Sequence, residues 1–314
     1  MSFTVQIKEE ISNIEHTKSE TIAELSAYIR NNSNIEKNKI SITTENYFIV
    51  EKIRSTIKSL YDIEIEESVI KNLNFSKKEL YQITISDKIN IICKDLAIYD
   101  DKEKYIDIVP DYIVGSNSEI RAYLRGAFLA TGSINDPKTS RYHMEMLTST
   151  PEEAVFIQKL LNIFDLNAKI IGREKGYMIY IKEAEKISDF LKLLEANKAV
   201  LYYENVRIYR DQKNKTNRLN NCEQANMDKI IENATSQLED IEIIEKNDGI
   251  VLLDDKVKEA LEYRKKYPET SLKELAEIIS LETNKKITKS GLNHRLRKLK
   301  DLADNFRKMN KEKI

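Results

Sequence analysis

One order of predicted elements occurs twice in this chain, and a duplication of that kind confines it to folds in which two similar halves close around a shared core. Apolar residues at three- and four-residue spacing predict helices, and alternating ones predict strands. In the first copy the pattern predicts a helix over residues 19–32, a strand over 39–44 and a helix over 45–61. Strands over 62–65 and 81–85 and a helix over 87–98 complete it. About a hundred residues later the order returns: helix 118–131, strand 142–148, helix 151–164, strands 166–171 and 177–181, helix 182–195. The local sequences match as well. Thr43-Thr44-Glu45 parallels Thr148-Ser149-Thr150, Leu60-Tyr61-Asp62-Ile63 parallels Ile163-Phe164-Asp165-Leu166, and Tyr81-Gln82-Ile83 parallels Tyr177-Met178-Ile179. Two copies of α-β-β-α-β-β-α predict a pseudo-twofold α+β body, each half presenting a sheet. A short leading helix over 2–14 precedes it.

The helices that open the copies carry small residues every fourth position: Ala122, Gly126 and Ala130 in the second, Ala23 and Ala27 in the first. Such a strip flattens a helix face and lets two backbones approach closely. Alanines on an ordinary core helix would give the same spacing; the matching positions in both copies favour contact between the two helices.

Charge locates the second part of the chain. The whole sequence is nearly neutral at −1, but residues 254–314 hold seventeen Lys or Arg against eleven Asp or Glu, leaving the remainder acidic. Within that segment Asp254 or Asp255 caps a helix ended by Pro268, and Thr270 or Ser271 caps a second, with Glu274 at the capping-box position. Thr288 or Ser290 then caps a third. Leu292, Leu296, Leu299, Ala303 and Phe306 form one apolar stripe on this third helix. The opposite face carries Ser290, His294, Arg297 and Asp301, with Asn293 and Lys298 flanking and Arg295 nearer the buried edge. Seven Lys or Arg and no acid occur from Lys285 to Lys300. Two short helices followed by a basic third one is helix-turn-helix order, and such a face suits the major groove and its phosphates. A solvated basic surface helix is the alternative. Upstream, residues 206–221 read as a basic linker whose Arg207, Arg210, Lys213, Lys215 and Arg218 are candidate DNA-backbone contacts; a plain hinge is the competing reading.

Other chemistries find little support. Cys93 and Cys222 form no CxxC, so neither a disulfide framework nor a zinc site is expected, and Cys222 is expected to be a small packed residue. His16, His143 and His294 fall in no metal-binding spacing, and no Gly-rich phosphate loop occurs. No targeting segment or membrane-spanning run is predicted, so a cytoplasmic protein is expected.

Tyr123-Leu124-Arg125-Gly126-Ala127-Phe128-Leu129-Ala130-Thr131-Gly132-Ser133-Ile134 resembles the second signature helix of LAGLIDADG homing endonucleases, and Glu24 to Arg30 resembles a more degraded first copy. In that fold the signature helices pack at the pseudo-twofold axis, and each delivers an acid for the catalytic metal. Here Thr131 and Asn32 stand at those positions, and neither supplies the charge a hard cation requires. Asp136 and Glu36 lie a few residues beyond. Joined to the Asn217-Arg218 and Asn221-Cys222-Glu223 segment, to Ser271-Leu272-Lys273-Glu274-Leu275 and to the run from Lys289 to Leu299, this body resembles the WhiA family over almost the whole chain. Two departures are the missing glycine after Asn32 and the connection lengthened by Asn284-Lys285-Lys286.

The resemblance implies an α+β, pseudo-twofold LAGLIDADG-like body followed by a small all-α helix-turn-helix domain. The expected division is a body over 1–205, a basic linker over 206–221 and a helical DNA-binding domain over 222–314. It further implies a bacterial DNA-binding regulator associated with cell division and chromosome segregation, and with sporulation in spore-forming relatives. The expected readers are Ser290, Asn293, His294 and Arg297, with Lys289, Arg295 and Lys298 on phosphate or supporting the docking. Double-stranded DNA is the expected partner of a nucleoid-associated monomer, without cofactor, metal or catalytic residue, and a protein partner could dock on the body. The alternatives are a residual metal-dependent endonuclease, or a division or nucleoid protein working mainly through protein contacts.

Overall fold

The computed structural model describes residues 1–70, 79–139 and 141–311. It divides into two compact units, Met1–Asp211 and Gln212–Ile314.

In the first unit the leading helix α1 (Phe3–Ser12) precedes α2 (Lys18–Asn32), β1 (Ser33–Glu36), β2 (Lys39–Thr44), α3 (Tyr47–Tyr61), β3 (Glu66–Ile70), β4 (Leu80–Ile85) and α4 (Ile89–Asp95). The second copy follows as α5 (Asn117–Thr131), β5 (Ser133–Ile134), β6 (Met144–Thr148), α6 (Pro151–Ile163), β7 (Lys169–Arg173), β8 (Gly176–Ile181) and α7 (Ala184–Leu193). Each copy makes one antiparallel four-stranded sheet, ordered β1-β2-β4-β3 and β5-β6-β8-β7. The registers repeat too: Thr44 faces Tyr81 and Ile42 faces Ile83 in one sheet, Thr148 faces Tyr177 and Met146 faces Ile179 in the other. Asp62 and Asp165, paired by sequence, both adopt the left-handed conformation after their helices (φ 53° and 55°), which Asp tolerates better than most residues.

The long helices are placed by local signals. Thr17 with Glu20 and Ser116 with Glu119 form capping boxes at the starts of α2 and α5, and Pro151 opens α6 behind the cap Thr150. The short strands β1 and β5, which complete each copy, escaped assignment because two to four residues show no period. The strand expected at 62–65 forms at Glu66–Ile70 instead, since the Asp62 cap turns the chain first.

Alternate residues of the sheets, Ile40, Ile42, Ile83 and Ile85 in one and Met144, Met146, Ile179 and Ile181 in the other, join a single core with α2 and α5. Ala23, Ala27 and Ala122 are fully buried there, and Gly126 sits against the backbone of Glu24. The small-residue strip is thus the contact between the two helices. A charged cluster accompanies it. Glu24 lies 3.0 Å from His16 and 3.2 Å from Lys52, and the buried Arg125 lies 3.4 Å from both Glu24 and Glu195. Arg125 also approaches Nδ1 of His16 at 3.2 Å; a guanidinium only donates, so Nδ1 accepts and Nε2–H faces Glu24.

Residues 206–221 are helical, within α8 (Asn197–Lys246), rather than an irregular linker. No Gly or Pro occurs in this helix, so nothing in the backbone interrupts it. In the second unit α9 (Asp255–Lys266), α10 (Leu272–Thr283) and α11 (Lys289–Lys311) pack with the last turns of α8 around Ile241, Ile244, Leu261, Leu275, Ile279, Leu296 and Leu299. Among the described residues no helix is long and apolar enough to cross a membrane.

Candidate nucleic-acid interface

Helix α11 begins behind Thr288, whose hydroxyl accepts the Gly291 N–H at 3.1 Å. The connection from α10 is fixed at two points. Asn284 takes the left-handed conformation (φ 54°) that ends α10, and Ser280 Oγ accepts from Ile287 N–H at 2.9 Å. The extra residues Lys285 and Lys286 therefore lie in a pinned turn.

The stripe Leu292, Leu296, Leu299 and Ala303 is buried, and Phe306 packs partly against the same core. Lys289, Ser290, Asn293, His294, Arg297, Lys298 and Asp301 are exposed. The expected readers Ser290, Asn293, His294 and Arg297 thus share one open face. Arg295 is placed differently. It is tied to Glu259 of α9 at 2.8 Å and to the Lys256 carbonyl at 3.3 Å, on the flank of the helix pair. Lys298 reaches Asp254 at 3.1 Å, while the other oxygen of Asp254 caps α9 through Val257 N–H. The Lys298 ammonium, followed by that N–H, holds the Asp254 carboxyl below its ordinary range. Toward the C-terminal end, Arg307 pairs at 2.7 Å with Asp240, a buried acid of α8. Burial pushes the Asp240 carboxyl up, against the opposing pull of Arg307.

The basic residues of α8 divide into two sets. Arg207 pairs with Glu204 and Glu185, and Arg210 donates to the carbonyls of Pro137 and Thr139 and stacks over Tyr142, all within the first unit. Lys213, Lys215 and Arg218 are exposed, as is every residue from 211 to 229. Cys222 lies in that stretch and is exposed, not packed as expected, because no apolar period there provides a buried side. Cys93 is buried, and burial pushes its thiol up to about 11.

At the positions where the resemblance would place metal-binding acids, the side chains serve the sheets. Thr131 Oγ1 donates to the Leu147 carbonyl at 2.7 Å and accepts its N–H at 3.1 Å. Asn32 Nδ2 donates to Tyr28 and to the Thr43 carbonyl. Asp136 accepts the Tyr202 hydroxyl, and Glu36 pairs with Lys39. Among the described residues no group of three or more His, Cys, Asp or Glu is arranged to hold a metal ion.

Sequence reasoning did not find Asp254 and Glu259 as the acids that anchor Lys298 and Arg295. The partners lie 44 and 36 residues apart, and no spacing rule links them.

Three family models match the chain: the WhiA N-terminal LAGLIDADG-like domain over residues 18–99, the WhiA LAGLIDADG-like domain over 120–213 and the WhiA C-terminal HTH domain over 216–303. Proteins named "Probable cell division protein WhiA" from Brevibacillus brevis and Bacillus cereus are each 41% identical over 311 residues, covering 98% of both chains. The crystal structure of full-length DUF199/WhiA from Thermatoga maritima superposes with a TM-score of 0.58 at 22% identity, covering 98% of this chain and 99% of that one; the likeness is one of fold.

Proposed function

The chain belongs to the WhiA family, and from that premise we propose that it is a non-enzymatic, sequence-preferring DNA-binding protein that regulates transcription in connection with cell division and chromosome segregation. The observation that carries this reading is the sidedness of α11. Its apolar stripe is consumed by the helical core, while Ser290, Asn293, His294 and Arg297 share an open face without an acid until Asp301. Arg can fork onto guanine, and Asn onto adenine, in the major groove. Lys289, Lys298 and Lys300 then flank the readers on the phosphates, with Lys213, Lys215 and Arg218 of α8 adding backbone contacts. Arg295, Arg207 and Arg210 support the fold through the partners described above.

The absence of catalysis is supported by the duties of Thr131, Asn32, Asp136 and Glu36, each hydrogen-bonded or ion-paired within the body. The protein acts in the cytoplasm on the nucleoid, and no dimer is needed to build the body, since one chain supplies both halves. Genome-wide mapping of bound DNA, with and without Arg297→Ala, tests the proposal. Discrete sites that blur in the variant are expected; a wild-type profile no different from input DNA would overturn it.

A further inference from the structure

We propose that a cleft in the second unit holds one phosphodiester of the duplex, an assignment that rests on the DNA-binding reading above. The cleft, of about 310 Å³, lies where the start of α10, the start of α11 and Asn233 of α8 meet.

The start of α10 supplies donors. Its capping box uses two of them, Glu274 N–H on Ser271 Oγ and Ser271 N–H on the Glu274 carboxylate. The amides of Leu272 and Lys273 have no hydrogen-bond partner among the described residues. Free N–H groups in a first turn, aligned with the helix dipole, attract an anion.

An independent feature points the same way. Arg264 lines the cleft and is 1% exposed. Its Nη1 donates to the Thr270 carbonyl at 2.8 Å and sits near those of Tyr267 and Pro268. Its Nε has no partner, and no carboxylate pairs with it, among the described residues. A buried guanidinium without a counter-charge favours an anion beside it. Lys273 and Lys289, both exposed, add two ammonium groups at the cleft.

The occupant follows from charge and position. Glu274 stands at this helix end and weakens the positive potential, which suits a singly charged phosphodiester better than a doubly charged phosphate. Lys289 is also the first residue of α11, so the cleft adjoins the face that carries Asn293, His294 and Arg297.

The test titrates full-length protein into a labelled duplex across a range of potassium chloride. Lys273→Glu reverses a charge at the cleft, yet an acid in a first helical turn favours the helix, so the fold is retained; thermal melting checks this, and Lys273→Gln serves as a second variant. Lys273→Glu and Lys289→Ala are each expected to weaken preferred and random duplexes alike and to reduce the slope of log affinity against log salt by about 1. Inorganic phosphate, compared with chloride at matched ionic strength, is expected to leave the wild-type melting temperature unchanged. Folded Lys273→Glu and Lys273→Gln with wild-type affinity and slope would overturn the cleft while leaving the DNA-binding reading intact. A melting temperature raised by phosphate and lost in Lys273→Glu, with DNA affinity unaltered, would make the cleft a free-anion site and overturn the phosphodiester. Wild-type protein that binds no duplex would overturn both readings.

Discussion

Gly126 of α5 packs directly on the backbone carbonyl of Glu24 in α2: a Cβ at position 126 would overlap that oxygen and come within 3.0 Å of the Ala27 methyl. Backbone cannot yield as a flexible side chain can, so the two helices must separate to admit even a methyl. Gly126→Ala is expected to destabilise the body by about 1–3 kcal/mol, the usual cost of overpacking. Calorimetry of the full chain should show a lower melting temperature for the first unit. An unchanged transition would mean that close helix approach is dispensable.

The carboxyl of Glu24 sets an acid limit on stability. Burial pushes it up, but the hydrogen bond from His16 and the charges of Lys52 and Arg125 outweigh this and hold it below its ordinary range. A carboxyl lower in the folded than in the unfolded chain contributes stability that is complete above the unfolded value, about 4.3, and is lost as pH falls through the folded one. Glu24→Gln is expected to cost about 3–5 kcal/mol at neutral pH, because Arg125 is then buried with its principal counter-charge gone. The gap between variant and wild type should narrow below about pH 4.3. Urea denaturation at stepped pH measures both; a gap independent of pH would refute the assignment.

Lys8 behaves oppositely. It is buried in α1 near the Phe128 ring, and burial lowers its ammonium to about 8. The unfolded chain therefore binds more protons between about pH 8 and 10.4, and stability rises with pH across that window. Lys8→Met is expected to raise the melting temperature at pH 7, with the gain shrinking as pH climbs through the window. A gain constant from pH 7 to 10 would exclude lysine protonation as the cause.

The pair of Arg295 and Glu259 is expected to serve stability rather than base reading. Both side chains are 18% exposed and meet at 2.8 Å. Arg295→Ala and Glu259→Ala should each cost about 1 kcal/mol in urea denaturation, with non-additive losses in the double variant, as for residues in contact. Additive losses would refute the coupling, and a change of preferred DNA site in Arg295→Ala would make Arg295 a base reader.

Purified protein with magnesium is expected to leave supercoiled plasmid uncut, because Thr131 and Asn32 offer strand-backbone hydrogen bonds where carboxylates would be required. Gel electrophoresis checks this. Nicking that disappears in Asp136→Ala would revive the endonuclease reading.

Much of this was legible in the linear sequence because its signals are local. A capping box spans only four residues, as at Ser271 to Glu274, and the stripe of α11 needs only helical spacing. The duplication could be read because like patterns recur at a regular interval; the shared left-handed φ of Asp62 and Asp165 is the same fact in three dimensions. The two short strands, the late start of β3 and the helical state of residues 206–221 could not be read. Strand ends depend on pairing partners, and a polar helix has no period to detect.

By itself, the sequence determined the doubled α+β body, the small-residue strip and the polar face of α11, since each follows from which residue types recur at which spacing. Only the tertiary structure decided which charges are available. Arg207 and Arg210 look like Lys213 and Arg218 in the sequence, yet the first two are drawn into contacts with Glu204 and Pro137. Whether a basic side chain is free to meet a phosphate depends on acids and carbonyls brought close by folding, and distance along the chain does not encode that proximity.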